Sequence, residues 1–260
     1  MLGIRTLLLF DGVSEFSNFK NNKHLKSLGL KNYHPIITDS VAVVGDKAKR
    51  YFRERGCEVI KYVPLHVRND NIIELPDKER FLITTANTAY YDESEFITLV
   101  NLIKEVIICL NEKSQTYDFR IFDERIINAL DIEPEKNFRD GGFDDVLINY
   151  SFVITTPSSI SLTCMFHQRP VAHLQYRDYP HFFQTGWSII PSVPLDQTID
   201  SMISFDQDRM AFQQSEVKSN FTVDPLAKSI SSIISSEKFK FKKDDFCESI
   251  SFKMLDSKFN

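Results

Sequence analysis

One stretch, residues 152–174, constrains the fold of this chain more than any other. The run at 152–155 is apolar and rich in β-branched residues, which is typical of a fully buried strand, and the turn signal Thr156-Pro157 ends it. The pair Ser158-Ser159 can cap a helix, and a second apolar strand follows at residues 171–174. A strand, a helix and a strand in this order predict one βαβ unit of a parallel sheet.

The junction between the first strand of this unit and its helix predicts an anion site. In an open α/β sheet the carboxyl end of a strand and the amino end of the next helix face a crevice, where free backbone N–H groups favour an anion. The hydroxyls of Ser158 and Ser159 would add hydrogen-bond donors, with Thr156 beside them. We therefore treat these three residues as candidates for binding a phosphate group; a helix cap alone is the alternative.

The same alternation of strands and helices runs through the rest of the chain. Further strands are predicted at residues 6–10, 40–45, 57–63, 81–84 and 117–122, and further helices at 46–55, 96–110, 124–130, 143–147 and 226–234. Residues 14–33 show no period and are predicted as a long loop, and residues 64–79 as a linker. The fold class is therefore α/β with two Rossmann-type parallel-sheet domains that face a cleft.

The predicted domain limits follow from this pattern. An amino-terminal domain takes residues 1–75 and a second domain takes residues 76–237. Residues 238–260 form a tail that mixes charged and aromatic side chains, for which a partly ordered terminus is the first interpretation and membrane contact the second.

Composition excludes several classes of protein. A net charge of −5 without a long basic block gives no support to a nucleic-acid partner. Four widely spaced cysteines lack metal-ligand spacing and are typical of reduced cytoplasmic thiols, so we expect no metal site and a cytoplasmic location. No stretch approaches the roughly twenty apolar residues of a transmembrane helix, and the amino terminus lacks a cleavage site for a signal peptide.

Polar residues also follow two other predicted strands. Asp11 and Gly12 come directly after the first strand, with Glu15 close behind. Thr85 and Asn87 follow the strand at 81–84 and would face the same crevice, where they are candidate donor-binding residues. A plain Asp-Gly turn and a loop-stabilising Asn87 are the alternatives.

With its early Asp11-Gly12, its small-residue loop after residue 84 and its Thr-Pro-Ser-Ser sequence before a helix, the chain resembles the GT-B glycosyltransferases of bacterial surface polysaccharide synthesis. In layout it is closest to the transferases that use CMP-activated acidic sugars, the sialyl-, polysialyl- and Kdo-transferases. The resemblance implies that Asp11 is the general base, that Ser158 and Ser159 hold the donor phosphate, and that no cofactor or metal is needed beyond the nucleotide-sugar donor. Gly12 and Glu15 would lie on the acceptor side.

Two departures from the family pattern accompany this resemblance. The family's His-Pro motif is replaced by Phe122-Asp123-Glu124, and only ten residues precede Asp11, so the amino-terminal domain is expected to be incomplete. The sequence therefore predicts a glycosyltransferase that moves a sugar, CMP-activated first, to a glycan or glycolipid acceptor of the cell surface. Peripheral association with the cytoplasmic face of the membrane or with a synthesis complex is a further option. A sugar-nucleotide epimerase and a non-catalytic carbohydrate- or nucleotide-binding scaffold subunit are the alternatives.

Overall fold

A computed structural model describes residues 6–10, 12–21, 26–30, 33, 36, 38–64, 67, 71–177 and 181–223. All of these belong to one compact unit that spans Met1–Val223. The predicted base Asp11, the predicted helix at 226–234 and the tail at 238–260 lie outside the described residues. The predicted domain limits at 75 and 237 stay a prediction.

The amino-terminal part forms a parallel three-stranded sheet. Its strands β1 (Leu7–Leu9), β2 (Ser40–Val43) and β3 (Glu58–Lys61) lie in the order β1-β2-β3. Helix α1 (Phe16–Asn21) follows β1, and helix α2 (Asp46–Arg53) connects β2 to β3. Because Ala48 and Phe52 are four residues apart in α2, they share the face that packs on the sheet. The loop predicted at 14–33 is wrong where α1 lies, since six residues are too short to show a helical period.

The second part forms a parallel five-stranded sheet, which confirms the predicted α/β class. The strands are β4 (Phe81–Thr84), β5 (Tyr117–Arg120), β6 (Phe152–Thr155), β7 (Val171–Leu174) and β8 (Trp187–Ile189). Their order in the sheet is β5-β4-β6-β7-β8, so the four strands predicted in this part of the sequence, β4 to β7, are parallel neighbours. The helices are α3 (Glu93–Glu112), α4 (Glu124–Leu130), α5 (Phe143–Leu147), α6 (Ser159–Phe166), α7 (Asp196–Ile203) and α8 (Gln207–Phe221). The sequence interpretation missed β8, α7 and α8.

Helices cover both faces of this sheet. On one face α3 buries Leu99, Ile103 and Val106 in a cluster that also holds Phe81 and Phe152 from the strands. On the other face α6 and α8 pack over Leu82 and Val153. Strands covered on both faces have no solvent-facing positions, which explains why β4, β6 and β7 read as continuous apolar runs in the sequence.

Helix α8 also joins the larger sheet to the smaller one. From α8, Gln213 accepts hydrogen bonds from the Val171 and Gly186 amides at 2.9 and 3.2 Å. Further along the same helix, the carbonyl of Ser219 accepts a bond from the buried Lys61 of β3 at 3.2 Å. The last helix that the structure describes therefore stabilises both sheets.

Candidate functional site

The carboxyl ends of the two sheets meet where the segment after β1 touches the start of α6. The Val13 amide donates to Ser159 Oγ at 3.0 Å. A β-carbon added at Gly12 would lie 2.2 Å from the same oxygen, so this close approach requires glycine. Sheets that face each other through their carboxyl ends form the crevice at which α/β proteins bind ligands.

Three hydroxyl groups around this contact are buried and have no hydrogen-bond partner within the described part of the chain. They are Ser14 Oγ, Thr85 Oγ1 and Ser158 Oγ. Ser158 occupies the amino-cap position of α6, yet its side chain makes no capping bond. A buried hydroxyl without a partner is destabilising unless an ordered water or a ligand satisfies it. These hydroxyls are thus suited to a polar ligand at the amino end of α6.

The loop after β4 borders the same edge. Thr84 and Thr155 are paired residues at the ends of β4 and β6, and the Ala86 amide donates to Thr156 Oγ1 at 2.7 Å. Thr85 is buried beside this contact, whereas Asn87 is exposed. The structure therefore brings Thr85, Thr156, Ser158 and Ser159 to one edge and leaves Asn87 on its outer side.

A buried arginine joins three segments next to this edge. Arg177 follows β7, and its side chain is 2% exposed. Its guanidinium forms ion pairs with Glu15 at 2.5 Å and Glu95 at 3.1 Å and donates to the Ala89 carbonyl at 2.6 Å. Arg177 thus links the segment after β1, the loop after β4 and the start of α3. Glu15 also accepts a hydrogen bond from Ser17, so its carboxylate has two protein partners.

The pairing of Arg177 with Glu15 could not be predicted from the sequence, because the two residues lie 162 positions apart. The sequence feature nearest to this junction is the aromatic-rich loop that begins at Gln175. The Tyr91 and Tyr176 rings lie beside the guanidinium, at 5.0 and 4.7 Å. Burial and the nearby Glu15 carboxylate raise the pKa of Tyr91 to about 12, so the Tyr91 hydroxyl is neutral at physiological pH.

Two histidine rings lie next to each other close to the Arg177 junction. Burial, together with the neighbouring His181, lowers the pKa of His173 to about 3. Burial and the Arg177 charge lower the pKa of His181 to about 4. His173 shares a hydrogen bond with Ser161 at 2.8 Å, and His181 shares one with Gln175 at 2.7 Å. Both imidazoles are neutral at pH 7, so neither acts as a cation toward an anionic ligand.

At the place of the family's His-Pro motif, the structure has a helix cap. Asp123 accepts hydrogen bonds from the Arg125 and Ile126 amides at 3.0 Å and so caps α4. Its other contact is a long 3.5 Å bond from the Tyr90 hydroxyl. The Asp123 side chain is therefore committed to the helix.

Among the described residues, no group of three or more His, Cys, Asp or Glu side chains could hold a metal ion. In the same part of the chain, no helix has the length and apolar character needed to cross a membrane.

Comparisons with known proteins give similarity in fold. No profile of a protein family matches the sequence, and no curated protein matches it. UDP-GlcNAc 2-epimerase from Methanocaldococcus jannaschii, solved with UDP-GlcNAc and UDP, superposes with a TM-score of 0.59 at 16% identity, over 90% of this chain and 68% of that one. MnaA from S. aureus, solved with UDP, gives 0.53 at 10% identity, over 90% and 75%.

The wall teichoic acid polymerase TagF, soaked with CDP-glycerol, superposes with a TM-score of 0.52 at 15% identity, over 90% of this chain and 68% of that one. This chain thus spans two thirds to three quarters of the three solved chains. The chain therefore has an α/β fold of the GT-B type, built from two parallel sheets.

Proposed function

We propose that this chain binds a nucleotide-activated sugar at the carboxyl edge of the five-stranded sheet and transfers the sugar to a surface glycan acceptor. The observation that supports this most is the buried Ser158 hydroxyl, which has no partner and makes no cap at the amino end of an eight-residue helix. Thr85 presents a second such hydroxyl on the neighbouring strand end. Among the fold neighbours, the two solved with UDP and the one soaked with CDP-glycerol agree with a nucleotide ligand of this kind.

The proposed chemistry assigns the leaving group to α6. When the bond between the sugar and the phosphate breaks, negative charge develops on the phosphate oxygens. The free N–H groups at the start of α6, with the Ser158 hydroxyl, would stabilise that charge. Ser159 Oγ already accepts from Val13, so its proton remains available for donation to an oxygen.

The acceptor side of the proposal lies in the amino-terminal half. A sugar hydroxyl is a weak nucleophile, so a carboxylate must remove its proton as it attacks. We propose Asp11 for this role, since Glu15 is held by Arg177 and Ser17. Gly12, next to Asp11, lies against Ser159 and leaves room at the contact. The same proposal includes a CMP-sugar donor, a cytoplasmic location, and association with the membrane face or a synthesis complex. It also includes separate domains at 1–75 and 76–237.

The test is calorimetric titration of the purified chain with CMP, UDP, CDP and GDP. One pyrimidine nucleotide should bind, and Ser158→Ala should weaken its affinity by roughly 1–3 kcal/mol, the range for a lost hydrogen bond to a charged group. Because Ser158 Oγ has no protein partner, the same change should leave thermal stability unaltered. Ser204→Ala, an exposed serine at the end of α7, is the matched control.

Absence of binding by all four nucleotides would contradict the proposal and favour the scaffold alternative. If Ser158→Ala leaves nucleotide binding unchanged, the phosphate site does not lie at the start of α6.

A second candidate, a sugar-nucleotide epimerase, is favoured by one specific observation. The carboxylates of Glu15 and Glu95 both pair with Arg177, and the Glu15 backbone bridges to that of His181, which places a histidine beside these carboxylate-bearing segments. Incubation with UDP-GlcNAc and NMR detection of its C2 epimer decides between the two candidates. Epimer formed without an acceptor supports the epimerase, and transfer to an added glycan supports the transferase.

A further inference from the structure

Helix α2 presents a cationic face on a chain whose net charge is negative. Because Ala48 and Phe52 are buried against the three-stranded sheet, the opposite side of α2 faces solvent. Cationic side chains follow one another along the helix and the turn after it, at Lys47, Lys49, Arg50, Arg53 and Arg55. The whole chain carries a net charge of −5, so this local excess of positive charge is a feature of α2 and not of the protein's average composition.

Three of these cations, Arg50, Arg53 and Arg55, form no ion pair with a carboxylate among the described residues. Arg50 and Arg53 lie one turn apart, are exposed, and make no ion pair with any residue that the structure describes. By contrast, Lys47 pairs with Glu216 at 3.4 Å. The carboxylate of Asp46 is held by Lys61 at 2.5 Å and by Ser219 at 3.0 Å, which withdraws it from the arginines.

A depression of about 550 Å³ lies along this face. Its described lining consists of Asp46, Lys49, Arg50, Arg53 and Glu54. Arginine presents two parallel N–H donors that match a phosphate or carboxylate, so two unpaired arginines one turn apart form a suitable surface for successive anionic groups on one ligand.

An aromatic groove adjoins the depression and shares Arg50 and Glu54 with it. The groove has a volume of about 280 Å³, and Phe16, Tyr51 and Phe182 form its apolar walls. His181 lines the groove and also lines a cavity of about 730 Å³ beside Arg177. The aromatic groove therefore lies between the cationic face of α2 and the cavity beside Arg177, with His181 bordering both.

We propose that α2 and the aromatic groove bind an anionic glycan, so that the acceptor is a saccharide chain bearing phosphate or carboxylate groups. Arg50 and Arg53 bind the charged groups, and the aromatic walls contact the apolar face of a sugar ring near the crevice. The identification of this ligand as the acceptor rests on the transferase function proposed above; the anion-binding surface itself does not.

The experiment measures binding of two anionic glycans, poly(glycerol phosphate) and hyaluronate oligosaccharides, with neutral dextran as the comparison. Both anionic probes should bind at low salt and weaken strongly at about 0.5 M salt, and dextran should not bind. The double variant Arg50→Glu with Arg53→Glu should weaken binding about tenfold or more. The matched control is Lys136→Glu with Arg139→Glu, since these two exposed cations are also three residues apart and the same net charge is removed.

Each result either supports or overturns the proposal that α2 binds an anionic glycan. Loss of binding in the α2 variant alone supports the proposal. Equal loss in the control variant, or no binding of either anionic glycan, overturns it. Binding to vesicles that contain phosphatidylglycerol but not to the glycans also overturns it and makes α2 a membrane-contact surface. Nucleotide titration of the same variants separates these outcomes from a failure of the proposed function, because the described linings of the depression and the groove contain neither Ser158 nor Thr85.

Discussion

The two sheets of this protein are stabilised in different ways. The five-stranded part buries polar side chains and pairs them within itself. Its fully buried Arg169 donates to the carbonyls of Tyr150, His167, Ile73 and Glu74. The amino-terminal sheet has only a small aromatic core, and its edge strand β1 leaves Leu7 and Leu9 about 40% exposed.

The smaller part obtains much of its support from residues that come later in the chain. Phe182 packs on Phe19 and Tyr51 with ring centroids 5.3 and 5.7 Å apart, and α8 holds Lys61 of β3. The difference shows that the larger part holds its buried arginine without contacts from the smaller sheet, while the smaller part depends on contacts with residues that come later in the chain. Changes at those contacts should therefore affect the two parts unequally.

The largest effect is expected at the contact between α8 and the turn after β2. Gly45 has φ +85°, and a β-carbon there would lie 2.0 Å from Asn220 Oδ1. Gly45→Ala should lower the free energy of unfolding by about 3 kcal/mol, from backbone strain and steric overlap together. Gly56→Ala is the matched control, since Gly56 has φ +81° and open space around it, and should lose only about 1 kcal/mol.

Hydrogen exchange shows where the loss falls. Amides of β2 and β3 should lose protection in Gly45→Ala, while those of β4 and β6 keep theirs. Uniform loss of protection over both sheets would contradict the idea that the smaller part depends on the larger one.

The second effect is expected in acid, and it should begin in the larger part. All three histidines that the structure describes lie there, and burial lowers the pKa of His173 to about 3. The unfolded chain binds a proton at His173 near pH 6.5 and the folded chain does not, so stability present above pH 6.5 is lost as the pH falls. Between pH 6.5 and pH 4 this one residue should account for about 3 kcal/mol.

Denaturant unfolding across this pH range tests the prediction. In the double variant His173→Leu with Ser161→Ala, both partners of a buried hydrogen bond are replaced by apolar groups, which should preserve most of the stability at pH 7. The double variant should show a flatter dependence on pH. A slope equal to that of the unaltered chain would assign the acid sensitivity to other groups.

The smallest effect is expected at the ion pair that crosses the crevice. Glu15→Gln removes one of the two carboxylates on Arg177 but leaves an amide oxygen to accept its hydrogen bond. The loss should be about 1 kcal/mol and should shrink as salt is added. Glu93→Gln, which breaks an exposed pair with Arg125, is the control and should change stability by less than about 0.5 kcal/mol. Equal effects would mean that burial adds nothing to the Arg177 pair.

The larger sheet could be predicted from the sequence because its signals are local. The apolar runs of β4, β6 and β7 reflect burial on both faces, and the predicted helix at 124–130 agrees with α4 because Asp123 provides its cap. Helix α8 could not be predicted in the same way. Two of its buried residues are Gln213 and Asn220, whose polar side chains interrupt the apolar period that marks a packed helix.

The candidate site likewise has one part that local sequence signals predict and one part that they do not. Placing Thr85, Thr156, Ser158 and Ser159 at one edge follows from strand ends and parallel pairing, which a single sequence can reveal. The junction at Arg177 depends on partners far apart in the chain, and charged residues look alike in sequence whether they lie on the surface or are buried in pairs.

The bond from Lys61 to the Ser219 carbonyl also affects when the smaller sheet can complete its contacts during synthesis. The two residues are 158 positions apart, so at 5–20 residues per second the ribosome takes roughly ten to thirty seconds to make the second after the first. During that interval the Lys61 ammonium lacks its α8 carbonyl, and the turn at Gly45 is uncovered. The amino-terminal sheet can therefore complete its native contacts only after α8 has been synthesised, long after its own three strands.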